Sequence, residues 1–220
     1  MFCNYAGQFL RVVIFKGGGI MLNQAIRVFD FLKIKYPDNA HYGAVFIAPF
    51  LFAIMFSIIA TWAAFNLKNG NYFLSDRFGD LFTLLAILPG FYIASLSAIA
   101  AINKKAIDRI INEKNAPYIE KVEPDRSETF KQKLTRRVFL TMLFAYLSSV
   151  SLILALTLAL FKFLFALNKD ANFIVFSCSN EFSIIVYFLI SLFSLFFIFQ
   201  LLILTLVGVN YLGYKGLVDN

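Results

Sequence analysis

Few residues of this 220-residue chain have types that can do chemistry, and their spacing builds no reactive arrangement. His41 is the one histidine, so neither a multi-histidine zinc site nor a paired-histidine metalloprotease element can form. Lys16-Gly17-Gly18-Gly19 is glycine-rich, but a phosphate loop needs the order Gly-Lys-Ser/Thr between a strand and a helix. No Gly-x-Ser-x-Gly element frames a serine that could use His41 as its base. No Asp lies within the apolar runs described below, which excludes an intramembrane aspartyl dyad. The reading is a non-enzymatic protein with no catalytic, cofactor-binding or metal-ligating residue and no cofactor.

The elements that would position any remaining polar group are apolar. The chain is 60% hydrophobic and 15% charged, with 28 Phe and 10 Tyr, and its mean hydropathy is +0.75. Soluble domains are about half apolar and a quarter charged, and disordered chains are poor in aromatics. A bilayer core of about 30 Å needs roughly 20 apolar residues in a helix, and four runs meet that length: residues 43–65, 81–102, 138–161 and 183–209. None alternates apolar with polar residues as a barrel strand would. The expected fold is all-α, a polytopic membrane bundle of four transmembrane helices.

Of the 20 Lys and Arg residues, 16 fall before the first run, between the second and third, or after the fourth. Basic loops are retained in the cytoplasm, so both termini and residues 103–137 are expected there, with the chain in the bacterial inner membrane. The net charge of +7 then reports topology, and no direct nucleic-acid binding is expected. Cys3 and Cys178 fall on opposite sides and cannot pair. Residues 1–20 carry no signal-peptide pattern, and Lys16 to Gly19 requires a purine-rich coding run just before Met21, so translation is expected to start at Met21 and residues 1–20 to be untranslated or disordered. Within residues 21–40, Leu22, Ala25, Ile26, Phe29, Leu32 and Tyr36 recur at helical spacing opposite Arg27, Asp30 and Lys33, which predicts an amphipathic interfacial helix ended by Pro37.

Inside the membrane, small residues allow helices to approach closely. Ala86, Gly90, Ala94 and Ala98 form such a stripe, and Ala53, Ser57 and Thr61 form another. No Lys, Arg, His, Asp or Glu lies within a run, and the polar groups left include Ser95 and Ser97 in the second, Ser148, Ser149 and Ser151 in the third, and Gln200 and Thr205 in the fourth. Gln200, the costliest of them to expose to lipid, is read as making an interhelical hydrogen bond, with pore lining beside Ser148 and Ser151 as the alternative. Residues 103–137, with 10 basic and 6 acidic residues, are expected to form a helical hairpin, its second helix capped by Asp125 and Glu128, before residues 210–220 close the chain as a cytoplasmic tail. Lys104, Lys105, Arg109, Tyr118, Ile119, Lys131, Lys133, Arg136 and Arg137 are the residues expected to meet membrane lipids or a cytoplasmic protein partner.

In size, four spans, inward termini and a basic middle loop, the chain resembles the small membrane subunit of bacterial Kiwa anti-phage systems; immunity proteins of pore-forming toxins share a similar layout. The resemblance implies a homo-oligomer that responds to phage at the envelope and works with a separate cytoplasmic DNA-binding subunit. It is one of layout, so it assigns no residue a role. The function expected is that of a sensor or scaffold. The alternatives are a pore-forming or depolarising effector and a toxin-immunity protein. Protein expressed from its native upstream DNA should have the intact mass of a chain beginning at Met21, and a mass that includes Met1 would refute that start.

Overall fold

The computed structural model describes residues 25–36, 42–67, 71–103, 105–111, 115–122, 129–171 and 180–218. Its body is four helices: α1 (Ala48–Asn66), α2 (Arg77–Ala101), α3 (Arg136–Ala171) and α4 (Asn180–Val218). Each is long and apolar enough to cross a membrane, over Val45–Asn66, Phe78–Ala101, Arg136–Leu167 and Glu181–Leu212. The chain is a multi-pass membrane protein of the all-α class. The helices outrun the expected spans at several ends: α2 starts at Arg77, α3 continues to Ala171, and α4 extends through most of the expected tail. Pro89 lies inside α2 without interrupting it.

In space α2 packs on α3, α3 on α4, and α4 on α1. The centre of the core is α3, whose Leu143, Leu147, Val150, Leu154 and Leu158 recur every three or four residues and are buried. The outward faces stay apolar and uncovered, as Leu156 at 67% and Ile87 at 64% exposure illustrate, which is the arrangement that hydrocarbon permits and water does not. Ala53 and Ser57 of the first small-residue stripe are buried on the α4 side, flanked by Phe52 and Phe56 against Phe199. Ala86, Gly90, Ala94 and Ala98 are all exposed, so the described residues leave the second stripe uncovered.

Two expectations about the extramembrane parts are corrected. Residues 103–137 are not a helical hairpin: after a 3-10 turn at Lys105–Asp108 the chain forms an antiparallel β-hairpin of β1 (Tyr118–Val122) and β2 (Thr129–Lys133). Tyr118, Ile119, Val122, Thr129 and Phe130 are strand-favouring types, and Pro117 removes the donor a helix would need there. The capping pair Asp125 and Glu128 lies outside the described residues. In the N-terminal segment residues 25–33 are helical, mostly as a 3-10 helix over Arg27–Lys33, while residues 21–24 and 37–40 lie outside the described residues, as do residues 1–20. Of the expected apolar face Phe29, Leu32 and Tyr36 are half-buried and pack on the core while Ala25 and Ile26 are exposed; the fully buried residues are Phe31 and Ile34, the latter capping the 3-10 helix in extended conformation.

Gly208 marks a close approach of α4 to α3, since a Cβ there would lie 3.0 Å from Phe144 Cζ and 3.2 Å from Leu143 Cδ2. Gly208→Leu should therefore overpack the core, at a cost of about 1–3 kcal/mol. At Gly79 of α2, outside the small-residue stripe, a Cβ would meet nothing within 4 Å, so Gly79→Leu serves as the control. Thermal unfolding in detergent checks the pair, and equal melting temperatures for the two variants would refute the close approach.

Candidate functional site

Two polar constructions organise the bundle, one within the membrane-spanning segments and one at the end that carries the β-hairpin. The first begins with Pro49, in the first turn of α1. Proline has no N–H, so the carbonyl four residues earlier, that of Val45, loses its α-helical donor. The backbone there is a π turn over Gly43–Ile47, and Gln200 of α4 supplies the donor, its Nε2 lying 3.0 Å from the Val45 oxygen. Gln200 Oε1 accepts from the Tyr146 hydroxyl of α3 at 2.8 Å, and Gln200 itself is 1% exposed. The amide is oriented by this pairing, because only its nitrogen can donate to a carbonyl. Tyr146 in turn stacks on Phe31, with ring centroids 5.2 Å apart, and meets Phe29 edge-on.

A second contact joins α2 to α4. Thr205 Oγ1 lies 2.6 Å from both the Leu201 carbonyl and the Tyr92 hydroxyl. The threonine has one hydroxyl proton, so with that proton on Leu201 the tyrosine is the donor. Of the polar residues singled out from sequence, Gln200 is bonded across helices at both ends of its amide, whereas Ser151 donates within α3 to the Ser148 carbonyl at 2.9 Å, and both serines are buried. Tyr146 and Tyr92 do not stand out in the sequence reading. Their signal there is a phenol in mid-span, whose hydroxyl must find a partner away from water.

At the hairpin end Arg137 closes the C-terminus of α2. Its Nη1 donates to Ile99 O at 3.1 Å and its Nη2 to Ile102 O at 2.8 Å, where the last carbonyls of a helix lack partners and carry partial negative charge. The same guanidinium grips Asp108 with Nε at 2.7 Å and Nη2 at 3.2 Å. That hydrogen bond holds the Asp108 carboxyl below its ordinary value, so its contribution is present above the usual carboxylate range and is lost as pH falls through the lowered value. Arg109 O accepts from Arg136 N, and Ile111 N donates to Leu134 O, so the chain entering the hairpin is pinned to the chain leaving it.

The N-terminal segment joins the same end. Lys35 and Tyr118 exchange both backbone hydrogen bonds at 3.0 Å, and Lys35 Nζ lies 2.8 Å from Glu120 Oε2. Glu120 is thereby held low and Lys35 raised, so the pair operates between those two values and dissolves beyond either. Lys131 lies over the Tyr118 ring at 4.8 Å, and Ile119 is half-buried. Arg109, Lys131 and Lys133 remain exposed, whereas Arg137 is engaged internally and Arg136 is half-buried. Lys104 lies outside the described residues, as does the Lys105 side chain. Burial, and then Tyr211, push the Tyr36 phenol above its ordinary value. Among the described residues no group of three His, Cys, Asp or Glu side chains is placed to hold a metal, and His41, Cys3 and Cys178 lie outside them.

Comparison with protein-family models, with curated proteins and with solved structures gives no match.

Gln200→Leu should destabilise the bundle by about 1–2 kcal/mol, the scale of intramembrane hydrogen bonds. Tyr146→Phe should cost less, since the Val45 bond survives. Denaturation in mild detergent reads the order, and a Gln200→Leu protein as stable as the parent would refute a stabilising role for the polar node.

Proposed function

We infer that this chain is a non-enzymatic sensor or scaffold of the bacterial inner membrane, with both termini and the β-hairpin in the cytoplasm. It oligomerises and couples an event at the envelope to a cytoplasmic partner, in the anti-phage setting that the resemblance to Kiwa membrane subunits implies. The observation that carries the reading is the Arg137 junction. A tilt or rotation of α2 against α3 must either break the bonds to Ile99 and Ile102 or carry Asp108 and the hairpin base with it. Helix movement is thus delivered to an extramembrane surface. The outward stripe of Ala86, Gly90, Ala94 and Ala98 supports self-association, because small residues let a neighbouring helix approach closely. The exposed Arg109, Lys131 and Lys133 suit anionic lipid heads or an acidic partner surface.

The test is a mild-detergent pull-down of the tagged chain from its native host, with particle mass measured on the same preparation. A stoichiometric cytoplasmic partner should accompany the parent protein and be lost from the Lys131→Glu, Lys133→Glu variant, with the membrane particle unchanged in mass. A partner-free oligomer in both preparations would overturn the reading.

A further inference from the structure

The helix order leaves α1 and α2 apart, with α4 behind them. In that opening lies a cavity of about 310 Å³, walled by Phe56 and Ala60 of α1 and Leu81 of α2, floored by Ser191, Ser194 and Ile198 of α4, and closed at one end by Tyr72 and Phe73. A second space of about 230 Å³ runs on between α2 and α4 to Tyr92 and Thr205, and it shares Leu81 and Ile198 with the first. Together they form one apolar groove along the bundle. The first part alone reaches the range of about 300–1,000 Å³ typical of ligand sites.

Three observations identify the occupant. The groove lies within the spanning segments, so the medium at its opening is hydrocarbon. Its depth comes from small side chains, Ala60, Ala63, Ser191 and Ser194, where the outer faces of the same helices carry Phe and Leu. The hydroxyls of its α4 side make no demand on a ligand: Ser194 donates to Ile190 O, Ser191 pairs with the Tyr187 hydroxyl, and Thr205 is paired with Tyr92. At the end opposite the hairpin Lys162 presents an exposed cation. Lys162 Nζ lies 5.6 Å from the ring centre of Phe78, a residue of the cavity wall, and it forms no ion pair among the described residues. Asp80 stands in the first turn of α2 at the same end, a carboxylate that disfavours an anion beside it and leaves the Lys162 side for a headgroup.

We propose that the groove between α1, α2 and α4 is a binding site for an anionic glycerophospholipid, with one acyl chain seated along Ala60, Ser191 and Leu81 and the phosphate at Lys162. The proposal stands apart from the sensor reading and from the membrane orientation. The full chain is reconstituted in phosphatidylcholine nanodiscs that contain a minor fraction of phosphatidylglycerol with a photoreactive group in one acyl chain. The crosslinks should concentrate at Ala60, Ser191 and Leu195 over the lipid-facing Leu156, Leu160 and Leu164. Ala60→Phe, which fills the groove, should reduce that labelling several-fold. Lys162→Gln, a change at an exposed side chain that leaves the core intact, should reduce labelling by the phosphatidylglycerol probe several-fold and labelling by the matching phosphatidylcholine probe little. Labelling spread evenly around the bundle would overturn the site, and equal loss or no loss with both probes in Lys162→Gln would overturn the anionic headgroup.

Discussion

One missing hydrogen atom sets the architecture of the bundle. Proline at position 49 has no N–H to offer the Val45 carbonyl, and an unmatched carbonyl in hydrocarbon is costly, so a donor must come from another helix. Gln200 provides it and, with its other end, binds Tyr146. Three helices are thereby fixed in register by one side chain, and Phe31, stacked on Tyr146, brings the N-terminal segment into the same assembly. Lipid tails are as apolar as Leu or Phe, so apolar burial alone gives such helices little reason to prefer one partner over another. The preference has to come from polar pairs and from shape, and the node at Gln200 and the close approach at Gly208 supply one of each.

The hairpin end follows a different rule because water is present. Its charges are exposed, so the Lys35–Glu120 pair contributes little by attraction alone. What organises this end is the backbone: Lys35 with Tyr118, Arg109 with Arg136, Ile111 with Leu134 and Leu134 with Pro117 are main-chain pairs. Arg137 adds a cation where the α2 carbonyls gather partial negative charge, and its planar fork reaches the carboxylate and the carbonyls together. Among the described basic residues of this connection, Arg137 builds the junction while Arg109, Lys131 and Lys133 are exposed.

The spans, their number and the polar character of Gln200 are legible in the sequence, because a charge-free run of more than 20 residues fits little besides a helix that crosses a bilayer. The partners of Gln200 are not legible as such, although both leave traces: Pro49 four residues after Val45, and Tyr146 in mid-span. The hairpin escapes a sequence reading for a definable reason. Pro117 and Pro124 suit the ends of an extended connector between helices, and the strand-favouring Thr129 and Phe130 follow a capping pattern that points to a helix instead. In the N-terminal segment helical spacing finds Phe29, Leu32 and Tyr36, which pack on the core, but misses Phe31 and Ile34, because the backbone tightens to a 3-10 helix over Arg27–Lys33 and turns extended at Ile34. The orientation of the Ala86 to Ala98 stripe depends on which face of α2 meets α3, and spacing alone contains no such information.

The unequal lengths of the helices bear on the membrane itself. The charge-free stretches of α1, α2 and α3, residues 45–66, 81–101 and 138–161, measure about 32–36 Å at 1.5 Å per residue, near the thickness of a hydrocarbon core, whereas that of α4, residues 182–212, measures about 46 Å. Tilt absorbs part of that difference, and the rest must be met by lipid that stretches beside α4 and relaxes beside the other helices. The molecule thus carries around its girth a gradient of bilayer thickness, and the elastic cost of that gradient falls when two copies set their α4 sides together or when the surrounding membrane is thick.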